Sequence, residues 1–145
     1  MRLFAKVSAV LSLLAAAVLA AHDNSASGQG AGVGGVRRVL DQSEVRNDMK
    51  NIGIFYIQYD AETGKPPRSL ADFQNYVKRD APALHKHLAE GYYVLLVGTK
   101  PSSNVILAHE AKPDSRGHTI AVKGDGSVHT LNAKELKDTL KQQGK

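Results

Sequence analysis

The stretch Val45–Tyr59, VRNDMKNIGIFYIQY, decides the fold. Val45, Met49, Ile52, Tyr56 and Tyr59 step by four, three, four and three, the spacing that lines one face of an α-helix. Ile54, Phe55 and Ile57 widen the stripe toward its C-terminal end, so little of that end is expected to face water. Burying one such side chain is worth roughly 1.5–3 kcal/mol. No other segment concentrates as much apolar and aromatic surface on an expected helix. The segment therefore reads as a spine with the rest of the chain wrapped against it. A Gly inside a helix costs about 1 kcal/mol relative to Ala. Gly53 thus predicts a close contact with a sheet or a neighbouring helix.

Working outward, the helix is expected to start between Val36 and Ser43. Asp41 or Ser43 would cap it, with Glu44 three residues after Asp41 in a capping-box pattern. It is expected to end before Asp60, and Pro66-Pro67 forbids continuation. Ser69 opens a second helix whose apolar face is Leu70, Phe73, Tyr76 and Val77. Asp80-Ala-Pro82 starts a third that ends near Glu90-Gly91. The period then changes. Strands are expected at 92–97, 104–108, 118–122 and 127–131. Gly124-Asp125-Gly126 is a tight-turn signal. With Asp125-Gly126 as a two-residue loop, Val122 would pair with His129 and His118 with Ala133. Asn132 and Glu135 cap a last helix with Leu136 and Leu140 on its apolar edge. The expected fold is α+β: a long N-terminal helix packed on a four-stranded antiparallel meander sheet, with short helices between and a C-terminal helix.

The chain has 145 residues, a formal net charge of +5 and no cysteine. Disulfides, thiolate metal sites and thiol catalysis are excluded. Basic and acidic residues are interleaved, without the one-sided cluster that nucleic acid requires. Residues 1–21, MRLFAKVSAVLSLLAAAVLAA, read as a secretory signal peptide: Arg2 and Lys6 precede an apolar run that ends in small residues. Cleavage there would leave 17 basic against 14 acidic side chains, a net +3. The protein is expected to be exported, to the periplasm or beyond. It would touch a membrane only through a retained signal segment. Residues 22–35 read as a Gly/Ser-rich flexible linker, and residues 36–145 as the folded domain.

The run Asp48–Asp60, followed by Gly64-Lys-Pro-Pro67 and Ser69-Leu70, resembles the helix-to-loop segment of bacterial type IV pilin-like and pseudopilin-like proteins. Val105–Glu110, Lys112-Pro113, Thr119–Val122, Asp125–Val128 and Glu135-Leu136 resemble the tail of prepilin-like proteins with a C-terminal H-x9-DG hairpin. The resemblance covers roughly Lys50 to Leu140. The signature's His falls on Ser115, so its role is not carried over. The pilin processing site, with Gly before Phe, Glu five residues in and a long apolar helix, is expected to be lacking. The resemblance implies a non-enzymatic interaction headpiece rather than a fibre subunit. It also implies partners among envelope, type II secretion or type IV pilus-like proteins.

No residue is singled out as catalytic, and no cofactor is expected. There is no Gly-x-Ser-x-Gly elbow and no phosphate-cradling loop. His85 and His87 diverge by about 200° on a helix, a poor metal pair. The competing reading is an envelope protein that binds metal or a small ligand through His109, His118 and His129, with Asp125 or Glu110 in support. A lone Asp125 in GDGS reads as a turn rather than a calcium loop. The five tyrosines read as core residues with a polar tip. Ile52, Phe55, Tyr56, Tyr59, Pro67, Asp125 and Gly126 are the expected structural positions. The loops Gly98–Ser103 and Ala111–Gly117, with the open sheet edges, are the expected contact surfaces.

Overall fold

The computed structural model describes residues 40–145. The signal peptide expected at 1–21 and the linker at 22–35 lie outside them. The described chain is α+β, with four helices and a four-stranded antiparallel sheet. The helices are α1 (Gln42–Thr63), α2 (Leu70–Val77), α3 (Pro82–Ala89) and α4 (Ala133–Gln142). The strands are β1 (Tyr93–Leu95), β2 (Ile106–Glu110), β3 (His118–Lys123) and β4 (Val128–Asn132), in the spatial order β1-β2-β3-β4.

Three helix starts follow the capping chemistry in the sequence. The Asp41, Ser69 and Asn132 side chains accept the N–H of Glu44, Asp72 and Glu135 respectively. Glu135 returns the favour at the Asn132 N–H, closing a capping box. α1 runs a full turn past the expected end at Asp60. Nothing in Asp60–Thr63 breaks a helix, and the stop comes at Gly64, whose left-handed φ of 71° favours a residue without Cβ.

Val45, Met49, Ile52 and Tyr56 are buried along one face of α1, and Tyr59 is half-buried. Ile54 departs from expectation at 42 % exposed. Two residues from both Ile52 and Tyr56, it lies about 200° round the helix from each. Leu70 is 39 % exposed although it shares a helix face with Phe73 and Val77, three and seven residues on, because it is the first residue of α2 and stands at the end of that face. Phe55 is half-buried and meets Tyr76 edge-on.

In registry across the sheet, Leu95, Ala108, Val122 and Val128 form one row. All four belong to or pack on the core that α1 completes, so this row faces α1. Gly53 sits over it. A Cβ there would lie 2.7 Å from Val122 Cγ2 and 3.3 Å from Gly126 Cα, the close contact that the glycine predicted. The next row, Val94, His109, Ala121 and His129, points to the opposite face. α4 lies on that side. Its Leu136 and Leu140 share a groove with Thr119, and the Gln143 side chain clasps the Ile106 backbone with two hydrogen bonds of 2.8 and 3.1 Å.

The β3–β4 connection corrects the expected register. Lys123 N–H bonds to Ser127 O and Gly126 N–H to Lys123 O, which makes a three-residue loop. Only Gly126 takes positive φ, at 81°, and Asp125 does not, so the mirror-image two-residue turn is not formed. Val122 therefore pairs with Val128 and His118 with Asn132. β1 is shorter than expected, and it stops where the Leu96 carbonyl turns to the Tyr56 hydroxyl. β2 begins late because Val105 N–H bonds to Ser102 O within the preceding turn.

Candidate functional site

A cavity of about 570 Å³ opens at one end of the sheet, beside the N-terminus of α1. Tyr93, Glu110, Ile120 and Thr130 are neighbours across β1 to β4 and form its floor. Leu40, Val45 and Arg46 wall one side and the loop 111–116 the other. Glu110 ends β2 where the β2–β3 ladder splays. Its Oε2 takes over the Ile120 N–H at 2.7 Å, in place of a strand carbonyl. Burial raises the Glu110 carboxyl above its ordinary 4.5, and the Ile120 N–H bond opposes the shift. Asp114 is bent inward as a loop brace, accepting from the His118 and Arg116 N–H groups at 2.8 and 2.9 Å. The His118 N–H first, then that of Arg116 and the Arg116 charge, hold its carboxyl below the usual range.

Both acids of the cavity thus accept from backbone donors, and Asp114 Oδ2 also faces Arg116 Nη2 at 3.5 Å. The basic groups Arg46, Lys112, Arg116 and His118 outnumber the acids in a lining that also carries the apolar Leu40, Val45, Pro113 and Ile120. Arg46 is steadied by a 2.6 Å bond from Nη2 to Thr130 Oγ1. The arrangement suits a ligand or partner segment that carries both apolar surface and negative charge. The cavity volume lies in the range of pockets that bind small molecules and peptide side chains.

The histidines do not assemble as expected. His118 shares its face with Ile120 and Val122 and lines the cavity, whereas His109 and His129 point to the opposite side of the sheet. The cause is the two-residue period of β3, which sets His118 and Ala121 on opposite faces. His109 Nδ1 is 2.7 Å from Glu110 O and His129 Nε2 is 2.8 Å from Ser127 Oγ. Among the described residues, no three His, Asp or Glu side chains converge to hold a metal ion. Asp125 accepts the Ser127 N–H at 2.9 Å and the Ser127 hydroxyl at 2.5 Å. These bonds lower its carboxyl and serve the turn.

A buried polar cluster went unseen in the sequence. Asp48 is 5 % exposed and His87 8 %. Asp48 Oδ2 accepts from the Tyr93 hydroxyl at 2.7 Å and lies 2.6 Å from His87 Nδ1. Glu44 Oε1 approaches His87 Nε2 at 3.8 Å, and Tyr92 stacks edge-on to the His87 ring. Burial, then the bond to Asp48, pushes the Tyr93 phenol well above its ordinary value. The cluster ties α1, α3 and β1 together beside the cavity floor. The signal was available: Asp48 is three residues from Val45 and four from Ile52, so it stands on the buried stripe and demands partners.

The remaining structural positions are internal. The Tyr56 hydroxyl lies 3.0 and 2.9 Å from the Leu96 and Thr99 carbonyls and accepts the Thr99 N–H at 3.1 Å. Burial pushes its phenol up to about 12. Pro67 is fully buried and its carbonyl accepts the Gly98 N–H. The loop from Gly98 to Ser103 is therefore pinned at its start, and of the two expected contact loops it is the one from Ala111 that borders the cavity.

The chain matches no protein-family model, no curated protein and no solved structure.

Proposed function

We propose that this chain is an exported, non-enzymatic, pilin-like interaction domain. Its partner would be an envelope protein of a type II secretion or type IV pilus-like system, engaged at the cavity beside the α1 N-terminus. The observation that carries the reading is the charge balance there: the two acids accept from backbone N–H groups and are outnumbered by Arg46, Lys112, Arg116 and His118 in a partly apolar lining. In this reading α1 stands for the long N-terminal helix of a pilin headpiece, and Gly53 and Gly126 mark where the helix meets the Asp-Gly hairpin. A cavity of this size also takes a small anionic ligand, with His118 on its wall, which is the second reading.

The test is cross-linking of the full chain to native envelope fractions, beside the double variant Lys112→Glu with Arg116→Glu. Recovery of pilus or secretion subunits with the native protein, and their loss with the variant, is the expected result. Equal recovery with both proteins overturns the partner reading. Recovery of no protein, together with a raised melting midpoint in an extract of small envelope metabolites, favours the second reading.

A further inference from the structure

α4 is amphipathic, yet none of its residues is buried. Leu136 and Leu140, one turn apart, are only half-covered by the sheet. Their other sides form, with Pro113, the apolar lining of a second groove of about 480 Å³. Its remaining border is basic. Lys137 and Lys141 stand one turn apart on α4, and Lys145 follows the left-handed turn at Gly144. No Asp or Glu is among the described residues that line the groove.

We propose that this groove docks an acidic amphipathic helix of a partner protein. A helix rises about 1.5 Å per residue, so the two α4 lysines are about 6 Å apart along the axis. Carboxylates at positions i and i+4 of a partner helix have the same spacing. Leucines beside them would complete the burial that Leu136 and Leu140 lack. A flat anionic membrane fits less well. The outer face of α4 carries the exposed acids Glu135 and Asp138, which such a surface repels. The proposal adds a second contact surface to the interaction reading, and its residues are separate from the basic rim of the cavity.

The probe is a labelled synthetic helix with Glu at every fourth residue and Leu beside each Glu. Its control is a peptide of the same composition with the Glu residues scattered around the helix. Fluorescence anisotropy with the full chain is expected to show the first peptide binding at least about tenfold more tightly than the second, and weakening with salt. Lys137→Glu with Lys141→Glu should remove the binding, with the circular dichroism spectrum unchanged. Lys112→Glu with Arg116→Glu should leave it intact, so failure here is distinguishable from failure at the cavity. Equal binding of both peptides, no binding, persistence after charge reversal, or stronger binding to phosphatidylglycerol vesicles than to the peptide would each overturn the proposal.

Discussion

Asp48 carries more of the architecture than any other single polar side chain described. Its carboxylate is the shared acceptor for a phenol on β1 and an imidazole on α3, all out of water. Removing such an acceptor strands two buried donors, each costing about 1–3 kcal/mol. Asp48→Ala should therefore lower stability by about 2–6 kcal/mol, the cost of the two stranded groups together. Tyr93→Phe removes a donor rather than stranding one and should cost less. Urea midpoints of the two single variants and the double variant check this, because residues in direct contact give non-additive losses. An Asp48→Ala protein melting within about 0.5 kcal/mol of the native one would remove the cluster from the account, since that is the size of an ordinary surface change. The sequence displays Asp48 on an apolar stripe, but it does not say that the partners come from 39 and 45 residues away. Pattern reading is local, and this pairing is made by the packing of α3 and β1 on α1.

At the level of elements, the helices were the most legible part. Capping side chains act within a few residues, so Asp41, Ser69, Asn132 and Pro82 mark the helix starts almost alone, whereas the end of α1 at Gly64 was expected a turn too early. The strands were less so. Their limits are set by where carbonyls are diverted, as at Leu96 to Tyr56, and by a bulge between Ile106 and Ala108. The loop between β2 and β3 shows the consequence for function, since Asp114 holds it in the shape that walls the cavity. Its carboxyl sits below the ordinary 3.8 because the folded loop donates to the charged form. The unfolded chain therefore binds the proton first as pH falls. The stability that Asp114 contributes is present above about pH 4 and is lost as pH drops through its folded value. Asp114→Asn keeps an acceptor for the N–H groups but cannot titrate. The melting temperature of the native protein should thus exceed that of the variant near pH 5, and the gap should close toward pH 2. A gap that stays constant across that range would show that Asp114 does not act through its charge. Glu110 has the opposite sign, so its contribution is present below 4.5 and is lost as pH rises through its raised folded value. The two groups therefore act in different windows.

Across the whole described unit, α1 is the element on which the sheet and the two short helices converge. Met49, Ile52 and Tyr56 are fully buried in the cluster that also holds Phe73 and Val77 of α2, Leu84 and Leu88 of α3 and Val122 of β3. The hydrophobic period therefore announced the core, whereas the cavity and the groove were invisible in it. Both concavities arise between elements distant in sequence, and the loop residue Pro113 borders both. Burial also ranks two positions that the sequence treated alike. Ile52 is fully enclosed, while Phe55 is half-buried and keeps one edge against Tyr76 at a centroid distance of 6.3 Å. Ile52→Ala should cost about 2–5 kcal/mol, because it removes buried methylenes and leaves a cavity in rigid surroundings. Phe55→Ala should cost less, since part of the ring is already in water and its site can relax. Urea melts followed in parallel by tyrosine fluorescence and far-ultraviolet circular dichroism measure both, with coincident curves marking one cooperative unit. If Ile52→Ala left the midpoint unchanged, or Phe55→Ala proved the costlier, α1 would not be the hub of the core. If the two probes separated in the native protein, the sheet and the helices would be unfolding independently.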